Sequence, residues 1–155
     1  MELFCDGSVN PQMKIGFGAY FILDEASSIQ DIKIKKFEDT SSTKLELEVL
    51  LWALKDENIK DNPIKVYTDC QNILSLLKRR DKLEKNDFKT ATNKIVNNRI
   101  LYKEFYSMLD KNNIEFIKVE GHKKSSKKDE IDKAFNLVDK SSRKALREYI
   151  KGENK

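Results

Sequence analysis

Hydrophobic periodicity changes once along this chain, and that change limits the fold more than any single motif. Up to residue 37 the pattern is that of strands, at 2–5, 16–23 and 29–37, where Ile32 and Ile34 alternate with Lys33 and Lys35. Short connections between the three favour an antiparallel meander. Thr40-Ser41-Ser42-Thr43 then supplies side chains suited to capping a helix. Leu45–Leu54, with Trp52 near its end, is apolar around most of its circumference, as a buried helix would be. Past Pro63, Ile64–Asp69 alternates as a fourth strand and Gln71–Leu77 reads as a short helix. Positions 95, 96, 100, 101, 105, 108 and 109 make a helical face, Ile114–Val119 a fifth strand, and 123–128 a lysine-rich loop. A long amphipathic helix over 131–149 closes the chain. The order is β-β-β-α-β-α-α-β-α. Under the crossover rules it predicts an α/β fold: a five-stranded mixed sheet, three antiparallel strands then two parallel, flanked by helices.

No repeat or linker divides the 155 residues, so a single domain over 1–150 is expected, with 151–155 as a frayed tail. Cys5 and Cys70 have no metal-ligand spacing and form no disulfide framework, so each is expected as a small buried thiol in a reducing compartment. With no signal-like or membrane-length apolar run, the expectation is a cytoplasmic monomer with no membrane partner. The net charge is only +4, but Lys78–Arg99 holds eight basic against three acidic residues, and Lys118–Lys128 five lysines against Glu120. Two concentrations of positive charge suit a polyanion such as nucleic acid, although a solvated lysine-rich surface would look the same.

Several acids fall at strand or helix ends. Asp6, followed by Gly7 and Ser8, ends the first strand; Asp-Gly-Ser is also an ordinary turn signal. Asp69 ends the fourth strand, at the edge where such sheets place their sites, and can equally cap the next helix. Thr43-Lys44-Leu45-Glu46 matches a capping box, in which Glu46 would reach back to its own helix terminus. Glu48 lies about 200° round the helix from Glu46, so only one of the two can face a given site.

Together, Phe4-Cys5-Asp6-Gly7-Ser8, Ser42-Thr43-Lys44-Leu45-Glu46-Leu47, Val66-Tyr67-Thr68-Asp69-Cys70-Gln71 and Val119-Glu120-Gly121-His122 resemble the successive signatures of type 1 ribonuclease H. The resemblance spans essentially the whole chain and implies a ribonuclease H-like sheet. It also implies an endonuclease that cleaves the RNA strand of an RNA/DNA hybrid with two divalent ions, Mg²⁺ or its substitute Mn²⁺, held by four carboxylates. Three of these are Asp6, Glu46 and Asp69, the Lys44-Leu45-Glu46 run deciding for Glu46 over Glu48. The fourth lies in the last helix. Asp132 keeps the shorter spacing from His122, but Phe135-Asn136-Leu137-Val138-Asp139-Lys140 fits the family's local pattern better, and Asp139 is assigned. His122, the chain's one histidine, corresponds to a mobile proton-transferring histidine, a role its pKa range suits.

The chemistry explains the residue types. Hard divalent cations prefer oxygen ligands, and two of them activate water and stabilise the leaving oxygen. RNA is told from DNA by its 2′-hydroxyl, which the resemblance implies is contacted by Asn10, Ser42, Thr43 and Gln71, with Gly7 and Ser8 as the floor under the backbone. Lys78, Arg79 and Arg80 open the basic segment that would grip the DNA strand's phosphates. Two other readings compete: a DNA nuclease or strand-transfer enzyme on the same fold, and a non-catalytic hybrid-binding module.

Overall fold

A computed structural model describes residues 1–24, 31–59, 62–119 and 126–153, the backbone alone for 126–129. The strands are β1 (Glu2–Asn10), β2 (Ile15–Leu23), β3 (Lys33–Phe37), β4 (Ile64–Thr68) and β5 (Ile114–Lys118). The helices are α1 (Ser42–Leu54), α2 (Gln71–Lys85), α3 (Arg99–Lys111) and α4 (Ser126–Glu153). The sheet runs β3-β2-β1-β4-β5. β1 and β3 lie antiparallel to β2, while β1, β4 and β5 are parallel, as the order of periodicities predicts.

Because successive strand residues point to opposite faces, the sheet carries two apolar layers. Leu3, Tyr20, Ile22 and Val66 pack against α1, α2 and α3. Phe4, Ala19, Phe21 and Tyr67 pack against Ala134 and Val138 of α4. Burial on both faces is why β2 reads as a nearly continuous apolar run. α1 is buried through Leu45, Leu47, Val49, Leu50, Leu51, Ala53 and Leu54. It lies close on the sheet because β1 and β2 present glycines beneath it. A Cβ on Gly7 would stand 2.9 Å from Leu45 Cδ2, and one on Gly18 would collide with Val49 Cγ2.

Several boundaries differ from the sequence expectation. β1 runs to Asn10, not residue 5, because the hairpin pairs it with β2 through Asn10↔Ile15. α2 extends to Lys85, which makes Lys78–Lys85 helical. α3 begins at Arg99, after Asn98 takes a left-handed φ of 64° that interrupts the expected helix. α4 starts by Ser126 and continues through Glu153, so part of the expected lysine loop and part of the expected tail are helical.

One mismatch of strand lengths creates the site. β1 pairs with β4 only through Glu2↔Lys65, Leu3↔Val66 and Phe4↔Tyr67. β4 then ends and turns into α2, leaving Cys5–Asn10 without a β4 partner. A cleft opens where the two parallel strands part, the position at which sheets of this kind bind ligands.

Candidate active site

The cleft, about 520 Å³, is lined by Asp6, Gly7 and Ser8 of β1, Glu46 of α1, Asp69 after β4, and Phe135, Asn136, Asp139 and Arg143 of α4. Four carboxylates thus come from four separate elements. The structure brings together Asp6, Glu46, Asp69 and Asp139, the four acids that the motifs single out.

The local structure removes the rival explanations for these acids. The N-cap of α1 is Ser41, whose side chain accepts from Lys44 N at 3.3 Å. This register makes Glu46 the fifth helical residue, two positions too far along to complete a capping box. Glu48 is occupied elsewhere, accepting from Thr40 Oγ1 at 2.6 Å. Asp69 does not cap α2 either, since its N-cap is Cys70, with no side-chain cap bond. Asp139 and Asp132 both lie on α4, but Asp139 lines the cleft and Asp132 does not.

Burial is the main electrostatic fact of the site. Asp6 Oδ1 accepts from Gly7 N at 2.8 Å, which favours its charge. Burial outweighs that bond and, helped by a hydrogen bond with Asp139 and the charges of Asp139 and Asp69, raises Asp6 to about 7. Burial, followed by the charges of Asp6 and Asp69, raises Glu46 to about 7 as well. Arg143 forms an ion pair with Asp139, Nε to Oδ1 3.0 Å, and brings the cleft a cation. Cys5 and Cys70 are only partly covered as residues, yet burial raises both thiols, so neither is a thiolate ligand.

The donor set suits a hard divalent cation: four carboxylates around one cleft, two of them raised chiefly by burial until they titrate near neutral pH. The acids face the cleft without closing on one point. Among the described residues no three acidic, cysteine or histidine side chains already form a metal-sized cage.

The other expected site residues are more scattered. Gly7 and Ser8 form part of the cleft wall. Asn10 is tied to the β1–β2 turn, its Oδ1 accepting from Gln12 N and Met13 N at 3.0 Å each. Ser42, Thr43 and Gln71 are exposed at the first turns of α1 and α2 and do not line the cleft. Lys78 and Arg79 are exposed on α2, and Arg79 lines a separate groove with Lys82 and Lys89. Arg80 requires a correction. Its guanidinium holds both carboxylate oxygens of Asp110, at 2.8 and 2.7 Å, and Glu84 at 2.7 Å, while stacking over Tyr106. It fastens α2 to α3, with three of its five N–H donors and its charge already committed to Asp110 and Glu84. His122 lies outside the described residues. Arg143 and Asn136 were not among the expected site residues; their spacing of four and three residues from Asp139, on one side of α4, is the signal that places them there.

The RNase H family model matches residues 1–141. The chain belongs to the ribonuclease H family. A ribonuclease H of Clostridium botulinum (strain Hall) is 31% identical over 124 residues, covering 77% of this chain and 80% of that protein. One from Caldicellulosiruptor saccharolyticus is 30% identical over 120 residues, covering 74% and 76%. In fold, the chain is similar to a foamy viral protease-reverse transcriptase solved in complex with dsDNA. That match has a TM-score of 0.68 at 16% identity and covers 91% of this chain and 92% of the other. As a member of the ribonuclease H family this chain is a hydrolase.

Proposed function

We propose that this chain is an endonuclease that hydrolyses the RNA strand of RNA/DNA hybrids, and that Asp6, Glu46, Asp69 and Asp139 hold two divalent cations, Mg²⁺ or Mn²⁺. The observation that carries the reading is the convergence of four carboxylates from β1, α1, the end of β4 and α4 on one cleft. The chemistry supplied by bound divalent ions is activation of a water near neutral pH and neutralisation of charge on the departing oxygen.

The chain's own residues do the rest. Asp6 sits on a strand hydrogen-bonded along its length to β2, so its position changes little between states, as a site residue requires. The backbone of Gly7 and Ser8 is proposed as the floor on which a sugar–phosphate backbone would lie beside Asp6; the missing side chain of Gly7 makes room for Leu45 of α1. The protons carried by Asp6 and Glu46 are those that cation binding displaces, so loading is coupled to proton release. Arg143 offsets the charge of Asp139 and lies beside the path of an incoming phosphate. His122 is proposed as the group that protonates the leaving oxygen. Lys78 and Arg79 are retained as ligands of the DNA strand's phosphates; Arg80 is not.

The test is cleavage of a hybrid labelled on either strand, with duplex DNA as comparison and the Asp6→Asn variant as control. Mg²⁺ or Mn²⁺ should support cutting of the RNA strand alone, and Asp6→Asn should abolish it while the protein stays folded. No cleavage under either metal would reduce the chain to a hybrid-binding module; cutting of duplex DNA would favour a DNA nuclease.

A further inference from the structure

The cleft uses one side of α4, and the core uses another. Counting about 100° per residue from the buried Val138, the solvent-facing sector of the helix at roughly 140–240° carries Lys133, Lys140, Arg143, Lys144, Arg147 and Lys151. All six are exposed. The acids with described side chains on this helix fall outside that sector, with Glu130 and Glu148 on one flank and Asp132, Asp139 and Glu153 on the other. Among the described residues, the one ion pair made by these six cations is that of Arg143 with Asp139.

This arrangement opposes helix stability. Lys140 and Lys144, Arg143 and Arg147, and Arg147 and Lys151 are like-charge pairs four residues apart, a spacing that repels. Arg80 on α2 shows the alternative, a cation paired with an acid one turn on, Glu84. Of the six cations on α4 only Lys144 has an acid at that spacing, Glu148, and among the described residues no ion pair joins them. Attraction to the helix dipole accounts only for Lys151, the one basic residue in the last turn. The cations are therefore arranged for a negative partner outside the chain. From Lys133 to Lys151 the ridge is about 27 Å long, a length over which duplex nucleic acid presents about 16 phosphates.

We propose that this ridge of α4 is a second phosphate-binding track for double-helical nucleic acid. It lies on the sheet face opposite α2 and α3, which pack with the other core layer, and it is separate from the basic segment beginning at Lys78. It meets the cleft at Arg143 and then runs away from it. A duplex of either kind would be held there through its backbone, without base readout. Holding substrate near the cleft raises its local concentration and so lowers KM without altering kcat. An anionic membrane fits less well, because the opposite side of α4 is committed to the core through Ala134, Val138 and Leu146 and has no apolar face to insert. The choice of nucleic acid as partner rests on the ribonuclease H reading; the ridge itself does not.

The experiment compares the full chain with a variant carrying Lys140→Gln, Lys144→Gln, Arg147→Gln and Lys151→Gln, none of which lines the cleft. Binding to a 30-base-pair hybrid, to duplex DNA of the same length and to phosphatidylserine vesicles is measured in chelator from 50 to 300 mM KCl, and cleavage is measured with Mg²⁺. If three of the four cations each neutralise a phosphate, the substitutions should flatten the plot of log affinity against log salt by about 2.7 and weaken binding at 0.1 M salt by roughly 10²–10³-fold. KM should rise while kcat stays within about twofold, and thermal stability should hold or increase as the repulsion is relieved. An unchanged salt slope on both duplexes overturns the proposal. So does a loss confined to phosphatidylserine vesicles, which would make the ridge a membrane-binding surface. If the wild-type chain cleaves no hybrid but the slope still changes, the ridge stands and the activity assignment falls.

Discussion

The metal-free protein should become less stable as pH rises from about 4 to about 7, and Asp6→Asn should remove much of that loss. Asp6 is raised from 3.8 to about 7 and Glu46 from 4.5 to about 7, chiefly by burial. Between the unfolded and folded values the native state holds protons that the unfolded chain has released, so stability falls with rising pH across that window and levels off above it. At 1.36 kcal/mol per pKa unit, Asp6 alone corresponds to about 4 kcal/mol and Glu46 to about 3. Each charge contributes to the other's shift, so their combined effect is smaller than the sum. Asn keeps the acceptor for Gly7 N and cannot ionise. Asp6→Asn should therefore match wild type at or below about pH 4, where both states keep Asp6 protonated, lead it by about 1–2 kcal/mol at pH 5, and exceed it by about 2–4 kcal/mol at pH 8. For a chain of this length that is a melting shift of roughly 5–15 °C. Urea and thermal unfolding at pH 4, 5, 6, 7 and 8 in chelator measure it. Millimolar Mg²⁺ should then restore wild-type stability at pH 8 and do little for the variant. A gain that is the same at every pH, or none at pH 8, would show that the cleft is solvated enough for its acids to ionise normally, and the reasoning would fail.

Other consequences are quickly checked. Asp139→Asn should lower hybrid cleavage by orders of magnitude and Asp132→Asn should not; the reverse result would move the fourth ligand to Asp132. Glu46→Gln should abolish cleavage, whereas Glu48→Gln, which weakens the bond to Thr40, should cost about 1 kcal/mol of stability and leave kcat within severalfold. Arg79→Gln should flatten the salt dependence of hybrid binding by about one unit, the value for a single phosphate left without its cation. Arg80→Gln should leave that slope alone and lower the melting temperature by loosening α2 from α3. Gly18→Ala should destabilise by about 1–3 kcal/mol through its clash with Val49, and Val49→Ala should recover part of the loss in a double-mutant cycle.

Much of this protein was legible in the linear chain because local rules govern it. Strand and helix periods are properties of neighbouring residues, and with the crossover rules they led to a five-stranded mixed sheet flanked by helices; the order of the strands in it came from the structure. The acids were visible as candidates for the same reason, since Asp6 and Asp69 stand at or just beyond places where an apolar strand pattern stops. Their competing local roles were equally visible. Which role held depended on details outside the local pattern: an N-cap at Ser41 rather than Thr43 freed Glu46 from the capping box, and Thr40 took up Glu48. Arg80 looked like its neighbours Lys78 and Arg79 until α3 brought Asp110 against it, thirty residues away in the chain. The α4 ridge was hidden likewise, because its cations are spread from Lys133 to Lys151 and align only once Val138 and Leu146 establish which side of the helix is buried. Chain order determined the fold and nominated the acids. Tertiary packing decided which of them share a cleft, because burial, charge coupling and pairing depend on distances through space that sequence spacing does not encode.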